Sequence, residues 1–391
     1  MACGYISSND NRMYVALEAV YSQVPAISTV NRIPAVKLTA KQQLERPQRR
    51  DKTGTRTYPG TPAGLRKRTT WDLRTYMTGW TRQDGAPAYG PLFEAAMGGM
   101  PLLFSGGTSA GNAAPTLLSF AAPHQLAPGQ AVTFGGEMRF VISIADQTTV
   151  ELSAPFSIAT AAGSPVGATM TYEPATSLGT ASIFDYWSPS AAVQRIINGA
   201  AVDRMRLQVN GDYHQFEFSG VACDIIDSAS FDGSAGSLTA FPPEPALNQF
   251  DYTIVPGHLG QIWLGNTPDR FYTVTAAQVT LENGIETRDR EFGSDSPRCI
   301  SPGMRSVTAD VQLFEMNDDA TRGLYQAARQ GSPVSLMLQL GEQAGQLVGI
   351  YLKSVIPEVP EFNDGESRLA WRFSNCRAQG TGDDEIYVAF G

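Results

Sequence analysis

The residues with the makings of chemistry are few and scattered. Gly107-Thr108-Ser109-Ala110-Gly111 matches the G-x-S-x-G pattern of a nucleophile elbow. That geometry needs a strand before the serine and a helix after it. Leu102–Phe104 offers a short strand, but Pro115 leaves no room for the helix, so Ser105–Pro115 is expected to be a flexible Gly/Ser lead-in. His124, His214 and His258 have no metal-ligand spacing with one another or with carboxylates. His214 is expected at an exposed hairpin turn. The four cysteines, Cys3, Cys223, Cys299 and Cys376, contain no C-x-x-C pair. Cys223 and Cys376 fall in alternating runs and read as small buried hydrophobes. Asp318-Asp319 suits the start of a helix. Asp383-Asp384-Glu385 reads as a turn leading into a final strand, a calcium site being the alternative. The expectation is no enzyme, no catalytic centre, no metal and no cofactor.

Charge and size narrow the classes. The chain has 391 residues, a formal net charge of -9, 42% hydrophobic and 17% charged residues. That length suits two or three domains, and the composition is that of folded protein. Net acidity argues against nucleic-acid binding as the main task. Ala95–Gly136 has no Asp, Glu, Lys or Arg, but glycines and prolines interrupt it before a membrane span could form. No signal peptide is expected, and with only Met1-Ala2 before it Cys3 is not expected to be a processed lipoprotein cysteine.

The elements that would position any site are mostly strands. Ser306–Phe314 alternates with Val307, Ala309, Val311 and Leu313 on one face. Asn317-Asp318-Asp319 then offers a helix cap, Ala320, Leu324, Ala327 and Ala328 recur at helical spacing, and Gly331 supplies the stop. Val334–Leu340 and Leu347–Ile356 form a hairpin. Earlier, Asn11–Tyr21 reads as an amphipathic helix or arm. Ala35–Ala40 and Thr69–Met77 are strands around a basic loop, Glu45–Arg68. Pro87–Met97 is a short helix. Pro101–Glu173 holds four strands, Ala131–Phe134, Met138–Ile144, Thr149–Leu152 and Thr169–Tyr172, enough for a small module of about 60–70 residues. Arg204–Val209 and Gln215–Ile226 flank the turn Asn210-Gly211. Ser228–Pro245 is a linker. Phe250–Trp263, Phe271–Leu281, Ser367–Asn375 and Glu385–Phe390 are further strands, with a second charged loop at Glu286–Pro302.

An internal repeat organises this list. Gly64–Met77 and Gly303–Met316 share Gly64/Gly303, Arg66/Arg305, Thr69/Thr308 and Met77/Met316 at equal offsets. A strand and charged loop precede each stretch, and a helix follows it. The hairpin at Arg204–Ile226 is matched to that at Val334–Ile356. The resulting division is an N-terminal arm (1–33), a first domain (34–100 and 174–245), an inserted module (101–173) and a second domain (246–391). Antiparallel sheets with open edges recruit partners, and edges paired around a ring leave none free.

With Asn11–Tyr21, the stretch Thr70–Gly99 including PLFEAAMGG, and the pattern from Val274 to the final GTGDDEIYVAF, the chain resembles the tail tube (major tail) proteins of long-tailed bacteriophages. The resemblance implies a mainly β fold: a duplicated tail-tube unit of packed antiparallel sheets, barrel-like and flanked by a helix, plus a small all-β inserted domain. It implies a virion structural subunit, made in the bacterial cytoplasm. Such subunits assemble into stacked rings around a DNA-ejection channel. Trimeric pseudo-hexamers are expected for a chain with two such domains, hexamers being the alternative. Other implied partners are the tape measure, terminator and distal-tail proteins. Phage DNA would pass without sequence-specific binding, and no membrane is involved. Alternatives are a distal-tail or terminator ring protein of the same fold, or a soluble β-sandwich binding module. By position, Arg46, Arg49, Arg50, Lys52 and Arg56, with Arg288, Arg290 and Glu291, belong to loops reaching the next ring. Asp383, Asp384 and Glu385 are the expected acidic partner. An acidic or neutral channel lining is expected, so that DNA phosphates are not held.

Overall fold

A computed structural model describes residues 4–46, 50–60, 64–80, 85–188, 192–209, 212–246, 253–265, 269–365 and 367–391. Cys3, Arg49, the Asn210-Gly211 turn and the start of the strand expected from Phe250 lie outside these residues.

The fold is mainly antiparallel β. β1 (Asn11–Leu17), β2 (Arg32–Ile33), β3 (Ala35–Leu44) and β4 (Lys67–Tyr76) lead to α1 (Gly90–Met97) and β5 (Leu102–Phe104). β6 (Gly107–Ala114), β7 (Leu117–Phe120), β8 (Ala131–Phe134), β9 (Glu137–Ile144), β10 (Thr149–Leu152) and β11 (Pro165–Val166) form a separate sheet in the order β11-β6-β7-β10-β9-β8. The chain returns through β12 (Thr169–Tyr172), β13 (Ala181–Trp187), β14 (Arg195–Val209), β15 (Gln215–Ala222) and β16 (Asp224–Asp227). Next come β17 (Gly260–Gly265), β18 (Asp269–Arg270), β19 (Val274–Glu282), β20 (Glu286–Thr287), β21 (Ile300–Ser301) and β22 (Ser306–Phe314). Helix α2 (Asp319–Gln330) precedes β23 (Val334–Leu340), β24 (Val348–Ile356), β25 (Glu361–Asn363), β26 (Ala370–Ala378) and β27 (Tyr387–Phe390).

Four expectations are corrected. Asn11–Leu17 is a strand paired with β13 and β2, and Met13 to Ala16 are all buried. Cover on both faces removes the alternation that marks a strand. Gly107–Ala114 is a strand of the small sheet, where small residues fit close packing, and Ser109 is buried within it. Thr169–Tyr172 belongs to the large sheet, pairing with β5 and β27. Gln215–Ile226 is two strands, broken at Cys223.

The large sheet contains two series of elements with the same pairings. In the first, β1 pairs with β2 and β13, β13 with β14, β14 with β15 and β16, and β4 with β3 and β15. In the second, β17, β18, β23, β24, β26, β27, β22 and β19 take the places of β1, β2, β13, β14, β15, β16, β4 and β3. A register shift marks the same point in each, between Ala181 and Ile183 on β13 and between Val334 and Leu336 on β23. From that anchor, Ala201 corresponds to Ile356 and Thr70 to Thr308, one residue away from the sequence alignment of Thr69 with Thr308. A one-residue slip reverses every side chain. Thr69 and Met77 are indeed buried, whereas Thr308 is half-buried and Met316 exposed. The hairpin match also moves: β14 corresponds to β24 and not to β23.

Both helices follow from local sequence. Asp318 accepts a hydrogen bond from Thr321 N at 2.7 Å and caps α2, and Gly331 ends it at φ 62°. Leu324, Ala327 and Ala328 are its buried face. Helix α1 is buried nearly all round, with Gly98 ending it at φ 87°. Phe93 lies within 5.2–5.8 Å, centroid to centroid, of Tyr172, Phe216, Phe218 and Phe390. Replacing Phe93 by Leu removes these ring contacts and leaves a small void. The expected cost is about 1–2 kcal/mol, read as an earlier midpoint in urea at unchanged slope.

Candidate assembly surfaces

One layer of the large sheet runs β3-β4-β15-β14-β19-β22-β26-β25, each strand antiparallel to its neighbours. The β14–β19 pair joins the two series, from Arg204 opposite Glu282 to Val209 opposite Ala277. Strand alternation gives the layer two unlike faces. Trp71, Leu73, Leu207, Phe216, Val279 and Leu313 point into the core. The other face is open and polar, carrying Asp72, Arg74, Arg204, Arg206, Glu217 and Glu282 among Thr, Ser and Gln.

Ion pairs neutralise the cations in the centre of that face. Glu217 bridges Arg74 at 2.7 Å and Arg206 at 3.2 Å, and Arg204 meets Glu282 at 2.7 Å. The open face is therefore of mixed sign rather than acidic. This ladder was missed in the sequence, where its members are spread over β4, β14 and β15 and only strand pairing brings them together.

The long loops leave from one end of the layer. β3 and β19 run in the same direction, because an even number of antiparallel steps separates them, so both following loops emerge together. Arg46, Arg50, Lys52 and Arg56 are exposed there, and Arg49 lies outside the described residues. Arg288 and Arg290 are exposed in the second loop, which β20 and β21 clasp; Glu291 lies 3.8 Å from Arg298. The loop bases are tied: Lys67 N donates to Asp295 O at 2.7 Å, and Lys67 Nζ meets Asp224 at 2.7 Å.

Asp383, Asp384 and Glu385 follow β26 and lie at this same end, beside the start of β22. Arg305 Nη1 donates to Asp383 at 3.1 Å and Glu385 at 2.8 Å, and Lys353 Nζ to Asp384 at 2.5 Å. Burial alone would raise the Asp384 pKa. Lys353 and the backbone N–H groups of Thr381 and Gly382 outweigh it and hold the carboxyl down to about 2. These acids thus have cations of their own within the chain, at the same end of the layer as the long loops. The opposite end carries exposed Asp212, Glu315 and Asp364, with Arg368 over the Phe314 ring.

The remaining sequence candidates have structural roles. Ser109 Oγ accepts from Gly111 N at 2.9 Å and donates to Thr160 at 3.0 Å, inside a strand and not at a strand-to-helix turn. His214 is buried, not exposed, its Nε2 3.0 Å from Leu259 O, and burial lowers its pKa. His124 closes a turn through Leu126 N at 2.8 Å. The small sheet docks on β17, β23, β24 and β27 through Met138, Phe140, Trp263, Met337, Tyr351 and Tyr387. At that contact Arg139 is fully buried, donating to Pro155 O (2.8 Å), Met138 O (2.7 Å), Gln339 (3.3 Å) and Gln261 (3.2 Å).

A family model described as phage tail tube protein matches residues 8–386. No curated protein matches the chain.

Proposed function

The chain belongs to the phage tail tube protein family, and from that premise we propose that copies of it close into stacked rings whose joined eight-strand layers enclose the DNA-ejection channel. The observation that carries this reading is the β14–β19 junction. Within one chain, two like-paired series already join edge to edge into one continuous layer. The same join between chains extends the layer, and closure removes the last edges.

Strand spacing bears on stoichiometry. Three chains supply twenty-four strands, and at about 4.8 Å each the backbone circle is about 37 Å across. Two chains give about 24 Å, which side chains narrow below the width of a DNA duplex, so three is the smallest number whose lumen would pass one. In this reading the two series are duplicated tube domains, and a trimer has sixfold pseudosymmetry. The open polar face lines the channel, the small sheet decorates the exterior, and the long loops reach the next ring. Their partner is the opposite end of that ring, where Asp212, Glu315 and Asp364 lie. Tape measure, terminator and distal-tail proteins would meet the tube at its ends.

Negative-stain microscopy of the purified protein tests this. Long hollow tubes are expected; isolated rings point to a terminator or distal-tail protein, and a persistent monomer overturns the reading. Reversing Arg46, Arg50, Lys52 and Arg56 to Glu is expected to leave rings but stop stacking. Tubes of normal length from that variant rule the loop out as the inter-ring contact.

A further inference from the structure

Among the described residues, the eight-strand layer has one strand at each side with a neighbour on one flank only: β3, beside β4, and β25, beside β26. Resting on the ring reading above, we propose that Glu361–Asn363 of one copy pairs antiparallel with Thr39–Lys41 of the next. Glu361 then stands opposite Lys41, Phe362 opposite Ala40, and Asn363 opposite Thr39.

The register comes from the junction already present in the chain. The shared register shift sets Thr75 against Leu313 and Trp71 against Ala309. Thr75 lies beside Phe216, which lies beside Leu207; Leu313 lies beside Trp371, which lies beside Phe362. Phe362 therefore holds the place of Leu207. On the other flank, Ala309 is opposite Val279 and Trp71 opposite Ala40, so Ala40 holds the place of Val279. Leu207 faces Val279 at the internal junction, and Arg206 faces Thr280. Carried over, these become Phe362 facing Ala40 and Glu361 facing Lys41.

Burial and charge agree with this register. Leu207 is 0% exposed with β19 beside it, whereas Phe362, at the same place with no strand beside it, is 58% exposed. Its ring already stacks on Trp371 at 5.5 Å, so an incoming strand has only its free side to cover. The β3 edge carries Lys37 and Lys41; the other carries Glu358, Glu361 and Asp364. The internal junction has the reverse sense, with Arg204 on β14 and Glu282 on β19. Opposite polarity at the two kinds of join disfavours pairing between the wrong edges. Pro357, Pro360 and the lysines also keep these edges from accepting strands indiscriminately before assembly.

The experiment uses the full chain. Lys41→Glu and Glu361→Lys alone are each expected to lower ring and tube yield at least tenfold with an unchanged far-UV circular dichroism spectrum, and the double exchange to restore it. Independently, a Thr39→Cys/Asn363→Cys chain is expected to form intermolecular disulfides under mild oxidation, giving a ladder that stops at the ring number, while either single variant gives none. Wild-type assembly with unaffected charge variants and no cross-link overturns the pairing. Blocked single variants with neither rescue nor cross-link overturn it too. Failure of the wild-type chain to assemble at all strikes instead at the ring reading beneath it.

Discussion

Tubes carrying Glu217→Gln are expected to hold duplex DNA that wild-type tubes release. Glu217 is the one carboxylate between Arg74 and Arg206, at 2.7 and 3.2 Å. Both guanidiniums are partly exposed on the open face, so the carboxylate mainly cancels their field and contributes at most about 1 kcal/mol to folding. Its loss leaves uncompensated charge on every subunit. If a ring gains about three phosphate contacts, affinity falls by about 40-fold between about 50 and 200 mM salt. Retention of a short labelled duplex by sedimented tubes, measured across that range, gives the slope. Glu217→Lys should steepen it and slow genome delivery. No change in retention by either variant removes this face from the channel.

The second large effect is structural. Arg139→Ala is expected to cost about 3–5 kcal/mol and to loosen the small sheet from its seat. The guanidinium sits between the rings of Trp263 and Phe156, at 4.9 and 5.3 Å, and 3.3 Å from Glu137. Burial pulls its pKa down to about 10, against the pull of Glu137, so it remains a cation at neutral pH. Removing it strands two backbone carbonyls and leaves Glu137 buried without its cation. A separate, earlier thermal transition and faster proteolysis at the stems of the small sheet are the expected readouts. The Glu137→Gln/Arg139→Met pair should recover most of the loss, because it removes both charges and keeps the bulk. A single unchanged transition in Arg139→Ala would show that the small sheet is held by its apolar contacts.

Local rules carried much of the fold. The alternation of Ser306–Phe314, the Asp318 cap and the Gly331 stop need only nearest neighbours, and all three are found. Strand β1 was hidden because burial on both faces erases its period, and β6 because small residues gave it the look of a linker. The four identities align Thr69 with Thr308, one residue away from the register of the two like-paired series, since side-chain facing is fixed by partners distant in the chain. The assembly surfaces divide similarly. The basic loop is a local run of charge and was visible. The pairing expected with Asp383–Glu385 rests on opposite charge, whereas their place at the loop's own end of the layer follows from strand direction. The Arg74–Glu217–Arg206 ladder exists only after β4, β15 and β14 pair.

The stem of the small sheet has a bearing on the order of folding. Leu102 on β5 stands opposite Thr171 on β12, so the chain leaves and re-enters the large sheet at adjacent points. If β6 to β11 collapse first, the stretch joining α1 to β13 behaves as a short tether. If they do not, the span to be closed is about four times longer, and its extra closure entropy is about 1 kcal/mol. β12 also takes β27 as its other neighbour, and β27 follows every other described strand in the chain. The small sheet and its β5–β12 stem can therefore form early, while the other flank of β12 stays open until β27 is made. That pairing adds a second seam between the two series, and it can close only after the β14–β19 junction has both its strands.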